Sequence, residues 1–185
     1  EDRTAANNHP PGDEIVIEAQ KLTKRFGKFT AEDSIDLSVR RGEIFGFLGP
    51  NGCGKSTTMR MLVGLSQQSA GKVNIFGKVP KAGSRSLRAQ IGYMSQSFSL
   101  YGELSVKRNI SLNLRLQHID AELHQARSKE LRDRFGLGDF GDKKASDLPL
   151  GLRQRLALAC AVAHKPPLLI LDEPTSGVDP SARNG

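Results

Sequence analysis

Apolar and polar side chains alternate from Ile15 to Ala19 and again from Ser34 to Val39, so each stretch predicts a strand with one buried face. "EIFGFLG", Glu43 to Gly49, runs apolar without alternation and stops at glycine, which predicts a short strand buried on both faces. "KSTTMRMLVGL", from Lys55, predicts a helix closing near Gly64. "KVNIFG" and "QIGYM" predict two further short strands, the second ending before Ser95 and Gln96. Val106, Ile110 and Leu114 then fall at i, i+4 and i+8 and predict a helix. Asp120 is placed to cap a second one, running through Leu131 and Phe135 to Gly136. "LLILDE", Leu168 to Glu173, is a last apolar strand that ends on two carboxylates. Strands, a glycine loop, a helical insertion and a further strand unit, in that order, predict an α/β core.

Composition adds limits. The chain has 185 residues, 37% hydrophobic and 25% charged, which fits about one soluble globular domain. Glu1 to Glu14, "EDRTAANNHPPGDE", is polar, has no periodicity and reads as a linker or tail, leaving 15–185 as the domain. Cys53 and Cys160 are too few for a disulfide framework, so a reducing compartment is the default. No stretch approaches the roughly 20 apolar residues of a membrane span, and no charged-then-apolar signal pattern opens the chain. Any membrane role is therefore expected to run through a partner. The net charge of +7 raises nucleic acid as a partner, but Lys and Arg are spread along the chain, Trp is absent and aromatics reach only 5%. A solvated basic surface is the better reading, and nucleic acid is not expected as a partner.

"GPNGCGKST", Gly49 to Thr57, carries the chemistry. Gly49-x-x-x-x-Gly54-Lys55-Ser56 lies between an apolar run and a helix, the setting of a phosphate-binding loop. Backbone N–H groups must approach a polyphosphate closely, and a Cβ at Gly52 or Gly54 would obstruct the chain or the ligand. The helix start supplies its positive dipole end, Lys55 a charge for the β- and γ-phosphates, and the Ser56 hydroxyl a ligand for Mg²⁺. A glycine-rich turn without a ligand would need neither lysine nor hydroxyl in register. At the end of "LLILDEP", Asp172 can hold the metal shell and Glu173 can polarise a water for attack on the γ-phosphate. His118, His124 and His164 lack partners at ligand spacing and read as surface residues. Cys53 reads as a spacer in the loop, and Cys160, in register with Leu156 and Ala163, as core.

Together with these residues, "TKRFGKF", "YMSQSFSLYGELSVKRNI", "LPLGLRQRLALACAV" and "LLILDEPTSGVDP" resemble, in order, the motifs of the ABC transporter nucleotide-binding domain, from about Ile15 to Pro180. The resemblance implies a P-loop NTPase core with an ABC-type antiparallel β segment and a helical subdomain at about 97–160. It implies ATP and Mg²⁺ as cofactors. ATP is contacted by Phe26 (stacked on adenine), Gly49, Pro50, Asn51, Gly52, Cys53, Gly54, Lys55, Ser56, Thr57, Gln96, Gly151 and Asp179. Ser56, Gln96 and Asp172 would hold the metal, and Glu173, Gln96 and Lys55 would be catalytic. Phe26 also fits a core aromatic, and Gln96 a surface polar residue. Tyr101, Leu104 and the helices to Phe135 resemble the face that docks on a membrane permease, and ordinary helix packing would use the same residues. The partners implied are that permease and a second ATPase domain closing head to tail. The place implied is the cytoplasmic face of the inner membrane, and the activity is ATP hydrolysis coupled to export. An ABC-type ATPase acting on ribosomes or nucleic acid is the alternative.

Two departures stand out. Where the family has Leu-Ser-Gly-Gly-Gln, this chain has Leu148, Pro149, Leu150, Gly151, Leu152. Proline lacks the hydroxyl that would bond the γ-phosphate, but it suits a helix start, from about Leu150, whose N–H groups remain available to an anion. "LPLG" with "LDEPTSGVDP" is most similar to the bacterial subfamily with tandem ATPase domains serving drug efflux or acting on ribosomes. The chain also stops at Gly185, before the place of the family's last strands and its switch histidine, so the domain is expected to be incomplete.

Overall fold

The computed structural model describes residues 12–27, 29–46, 54–81, 84–95 and 99–172. They divide into two compact units, one up to Leu87 and one from Arg88. The first unit is built on an antiparallel sheet in the order β2 (Phe29–Arg40), β1 (Ile15–Phe26), β3 (Ala70–Ile75). Ile17 lies opposite Val39 and Ile75, and Ala19 opposite Leu37 and Val73, so the alternation at 15–19 is one buried face of this sheet. β1 continues well past the point where the alternation stops. A register shift between Ala19 and Leu22, with Lys21 at a φ of 49°, moves the buried positions to Leu22 and Thr23. An irregularity of this kind breaks the period of two without ending the strand.

Gly12 to Glu14, expected as the end of a linker, pair with the end of β2. Gly12 N–H donates to the Arg41 carbonyl at 2.9 Å, Arg41 N–H to the Glu14 carbonyl at 2.9 Å, and the Arg41 guanidinium meets the Glu14 carboxylate at 2.6 Å. The strand expected from Glu43 is not formed at 43–46, where Ile44 and Phe45 are exposed. The reason is local. Gly42, at a φ of 78°, turns the chain, Glu43 N–H returns to the Arg40 carbonyl, and the Glu43 carboxylate accepts the Arg40 N–H. The segment thereby leaves the ladder, and no described strand runs beside it; 47–49 lie outside the described residues. The helix α1 (Lys55–Leu62) follows and buries Thr58, Met61 and Leu62, and a single turn, α2 (Arg85–Arg88), buries Leu87.

In the second unit β4 (Ile91–Met94) and β5 (Leu168–Leu171) pair in parallel, Ile91 with Leu168 through to Met94 with Leu171. Between them lie α3 (Val106–Leu116), α4 (Ala121–Arg134) and α5 (Leu150–Ala161), close to the expected helices. Parallel strands require such a crossover. Val106, Ile110 and Leu114 of α3 pack with Leu131, Leu137, Leu148, Leu156 and Cys160 in one apolar cluster. Ser105 caps α3 by accepting the Arg108 N–H at 3.3 Å. Asp120 stands at the start of α4 but its side chain makes no cap. The Leu123 N–H that it would bind already donates to the Asp120 carbonyl at 3.0 Å. As expected, α4 closes at Gly136, whose φ is 65°.

Candidate functional site

Part of the phosphate loop lies among the described residues. Gly49, Pro50, Asn51, Gly52 and Cys53 lie outside the described residues; Gly54 to Thr57 lie inside. Gly54 precedes α1 with φ 89° and ψ −1°, a left-handed conformation that glycine adopts without strain. This is the backbone reason for glycine at that place in the motif. The helical ladder begins with Thr58 N–H donating to the Gly54 carbonyl at 2.9 Å. The amides of Lys55, Ser56 and Thr57 therefore sit ahead of the ladder, at the positive end of the helix. No acidic residue occupies the first turn, and Lys55, Ser56 and Thr57 are all half-buried. An anion fits this helix start. Met61 and Leu62, further along the helix, are nearly fully buried.

Asp172 follows β5 directly and is 2% exposed, the most buried carboxylate among the described residues. Its N–H donates to the Met94 carbonyl at 2.9 Å, continuing the β4–β5 ladder by one residue. The strand pairing thus sets where this carboxylate stands. An acid so shielded needs partners, and a carboxylate is a suitable donor for a hard divalent cation. Glu173, Asp179 and Gln96 lie outside the described residues.

Pro149 stands at the N-cap of α5, and the ladder starts with Arg153 N–H donating to its carbonyl at 3.0 Å. The amides of Leu150, Gly151 and Leu152 precede it. Gly151 is exposed, with no atom within 4 Å of where a Cβ would stand. Leu148 and Leu152 flank this open backbone and pack into the apolar cluster. Sequence reading took Leu152 only as a departure from the usual signature; the structure makes it an anchor that presents Gly151 outward.

Phe26 ends β1 and is 55% exposed, which removes the core-aromatic alternative, and the Lys24 ammonium lies 5.0 Å from its ring centre. Tyr101 is exposed and Leu104 half-buried just before α3. Their placement depends on a residue that the sequence reading passed over. Asn109, fully buried, donates from Nδ2 toward the carbonyls of Tyr101 and Leu104 at 3.0 Å and Ser105 at 3.1 Å, and its Oδ1 accepts the Tyr101 N–H at 3.0 Å. The signal was there: a polar residue beside Ile110 on the apolar stripe of a helix. Cys160 is core as expected, and burial pushes its thiol up to about 12. His118 is exposed, while His124, bonded to the Ile119 carbonyl at 2.8 Å, and His164 are half-buried rather than surface residues. No His, Cys, Asp and Glu cluster able to hold a metal occurs among the described residues.

Over most of its length the chain is similar to known proteins. A family model described as ABC transporter matches residues 33–176. The chain is 46% identical over 173 residues to the Probable multidrug ABC transporter ATP-binding protein YbhF of Escherichia coli, covering 94% of this chain and 30% of that protein. It is 41% identical over 170 residues to the Daunorubicin resistance ATP-binding protein DrrA3 of Streptomyces coeruleorubidus, covering 92% of this chain and 54% of that one. The chain thus spans about a third to a half of the length of these relatives. Among solved structures, an ATP binding subunit of an ABC transporter superposes with a TM-score of 0.80 at 28% identity, over 91% of this chain and 70% of that one. The sequence motifs, the α/β architecture and these likenesses agree, and the chain belongs to the ABC transporter family.

Proposed function

We propose that this chain is the ATP-binding and ATP-hydrolysing domain of an ABC transporter that couples turnover to export across a membrane. The observation that carries the reading is the start of α1, where a left-handed Gly54 sets the amides of Lys55, Ser56 and Thr57 ahead of the helical ladder, in a segment whose side chains include a lysine and a hydroxyl. ATP would be held there by Gly49 to Thr57, with Phe26 stacked on the adenine. Mg²⁺, held by Ser56, Gln96 and Asp172, would supply charge neutralisation between the phosphates. Lys55 neutralises charge developing on the γ-phosphate oxygens. Glu173 accepts the proton of the attacking water, and Gln96 orients that water. Gly151 and its neighbouring amides would bind the γ-phosphate held by a second ATPase domain, alongside Asp179, in a head-to-tail pair. Among the described residues no helix is long and apolar enough to cross a membrane, so the reading places the chain against a permease, through Tyr101 and Leu104. The names of both relatives, multidrug transport and daunorubicin resistance, favour export of a drug-like substrate and fit the tandem-ATPase drug-efflux type.

Equilibrium binding of a fluorescent ATP analogue with Mg²⁺ tests the site. Lys55→Ala should weaken binding at least tenfold, and Glu173→Gln should bind normally but stop turnover. Equal affinity in wild type and Lys55→Ala would refute the reading. The net charge of +7 keeps a ribosome-acting ATPase as the second reading, and ribosomal RNA bound to the purified full-length protein would favour it.

A further inference from the structure

The turn that joins α5 to β5 holds a histidine in a demanding place. Both ring nitrogens of His164 are shielded from solvent, and neither completes a hydrogen bond. A neutral imidazole has one donor and one acceptor to satisfy. The turn is gripped from two sides. From α4, Arg127 donates through Nε to the Ala163 carbonyl at 2.9 Å and through Nη2 to the Val162 carbonyl at 3.0 Å, while Nη1 pairs with Glu130 at 2.6 Å. From β4, Gly92 lies so close that a Cβ there would stand 2.3 Å from the Ala161 carbonyl oxygen and 2.9 Å from Pro166. The Leu168 N–H then donates to the Gln90 carbonyl at 3.2 Å, where β5 begins.

The charged groups about the ring are Arg127 and Glu130 from α4 and Lys165 from the turn itself, which line one groove of about 280 Å³ with His164. His124, also on α4, is bonded to the Ile119 carbonyl. β4, "IGYM", contributes no charged side chain, and Tyr93 is its only titratable group. Glu130 is already engaged by Arg127, whose hydrogen bond holds that carboxyl below its usual range. A second proton on His164 would therefore create a shielded cation near the Arg127 cation, with only the Ile91 backbone, which completes no bond to the ring, to accept from it. Burial first, and Arg127 second, hold the ring below its ordinary value. The Ile91 backbone, which favours charge, approaches without completing a bond.

We propose that His164 makes this joint an acid-sensitive latch: its protonation drives the ring out, frees the 162–167 turn from Arg127 and loosens β5, the strand that ends at Asp172. The unfolded or opened chain takes the proton more readily than the closed one. Stability from the latch is thus complete above the ordinary imidazole range, about pH 6.5, and is lost as pH falls below it. Slower ATP turnover in acid would follow only if the function proposed above holds. The latch itself is tested without nucleotide.

Imidazole titration by ¹H–¹⁵N NMR on the full chain should place His164 below the ordinary imidazole range, about pH 6.5. Amide protection factors at Leu168 to Asp172 should fall as pH drops from 7.5 to 5.5, by up to about tenfold per pH unit, the limit for one proton. His164→Gln should abolish that pH dependence. The proposal is overturned if His164 titrates at or above the ordinary imidazole range, about pH 6.5, or if the protection factors are flat in wild type or fall equally in His164→Gln. Should the variant not fold, the wild-type titration and exchange data decide alone. Loss of the ATPase reading with these results intact would leave the latch standing.

Discussion

Replacing Asn109 by leucine isolates what one buried amide contributes. Leucine has the same number of side-chain heavy atoms as asparagine, so the change removes the hydrogen bonds without opening a cavity, and its larger volume can only add to the cost. Asn109 carries two N–H donors and an acceptor oxygen, and these serve four backbone contacts of the 101–105 segment at 3.0 to 3.1 Å. Two donors cannot fully serve three carbonyls, so three bonds are counted rather than four. At about 1 kcal/mol net each, the loss is about 3 kcal/mol, and carbonyls left without water would raise it. For a chain of this size that is a fall in Tm of roughly 6–12 °C, at 2–4 °C per kcal/mol. Thermal unfolding by circular dichroism reads the shift, and hydrogen exchange locates it. The Tyr101 amide, which donates to Asn109, should lose protection before the α3 amides do. A shift below about 2 °C, or unchanged exchange at Tyr101, would refute the assignment of this side chain as the organiser of the segment.

Gly92→Ala places a methyl against the Ala161 carbonyl and Pro166, both rigid, and should cost about 1–3 kcal/mol in urea unfolding; a neutral result would mean that the α5–β5 turn has slack. Cys160, with its thiol pushed up to about 12, should resist iodoacetamide at pH 8 in the folded chain and react on denaturation, as mass spectrometry would report. Pro149→Ser should raise single-turnover ATP hydrolysis in a paired, full-length protein, since Leu148 and Leu152 hold the start of α5 in place and only the missing hydroxyl is restored. An unchanged or lower rate would remove that idea.

Short-range rules made most of the architecture legible in the sequence. α1, α3, α4 and α5 follow from period and punctuation, because a helix closes its hydrogen bonds within itself and depends mainly on local residues. The helix start at Gly54 to Ser56 was readable for the same reason: glycine, lysine and hydroxyl at fixed spacing state a backbone geometry and a charge together. Phe26 could be named but not placed, since the same aromatic suits a core or an open face, and its exposure settles the choice for this strand end.

What only the tertiary structure decided depends on partners distant in sequence. The segment at 43–46 has the composition of a buried strand, but a strand exists only where another pairs with it, and the turn at Gly42 carries the chain off the ladder. The register shift in β1 hid half of that strand from any period of two. Asn109 drew no reading and His164 read as a surface histidine; one organises a loop from inside the core and the other sits shielded under α4. The chemistry of the site was written in residue types at short spacing, whereas burial, pairing and the electrostatic setting of each group arise when distant segments meet and exclude water.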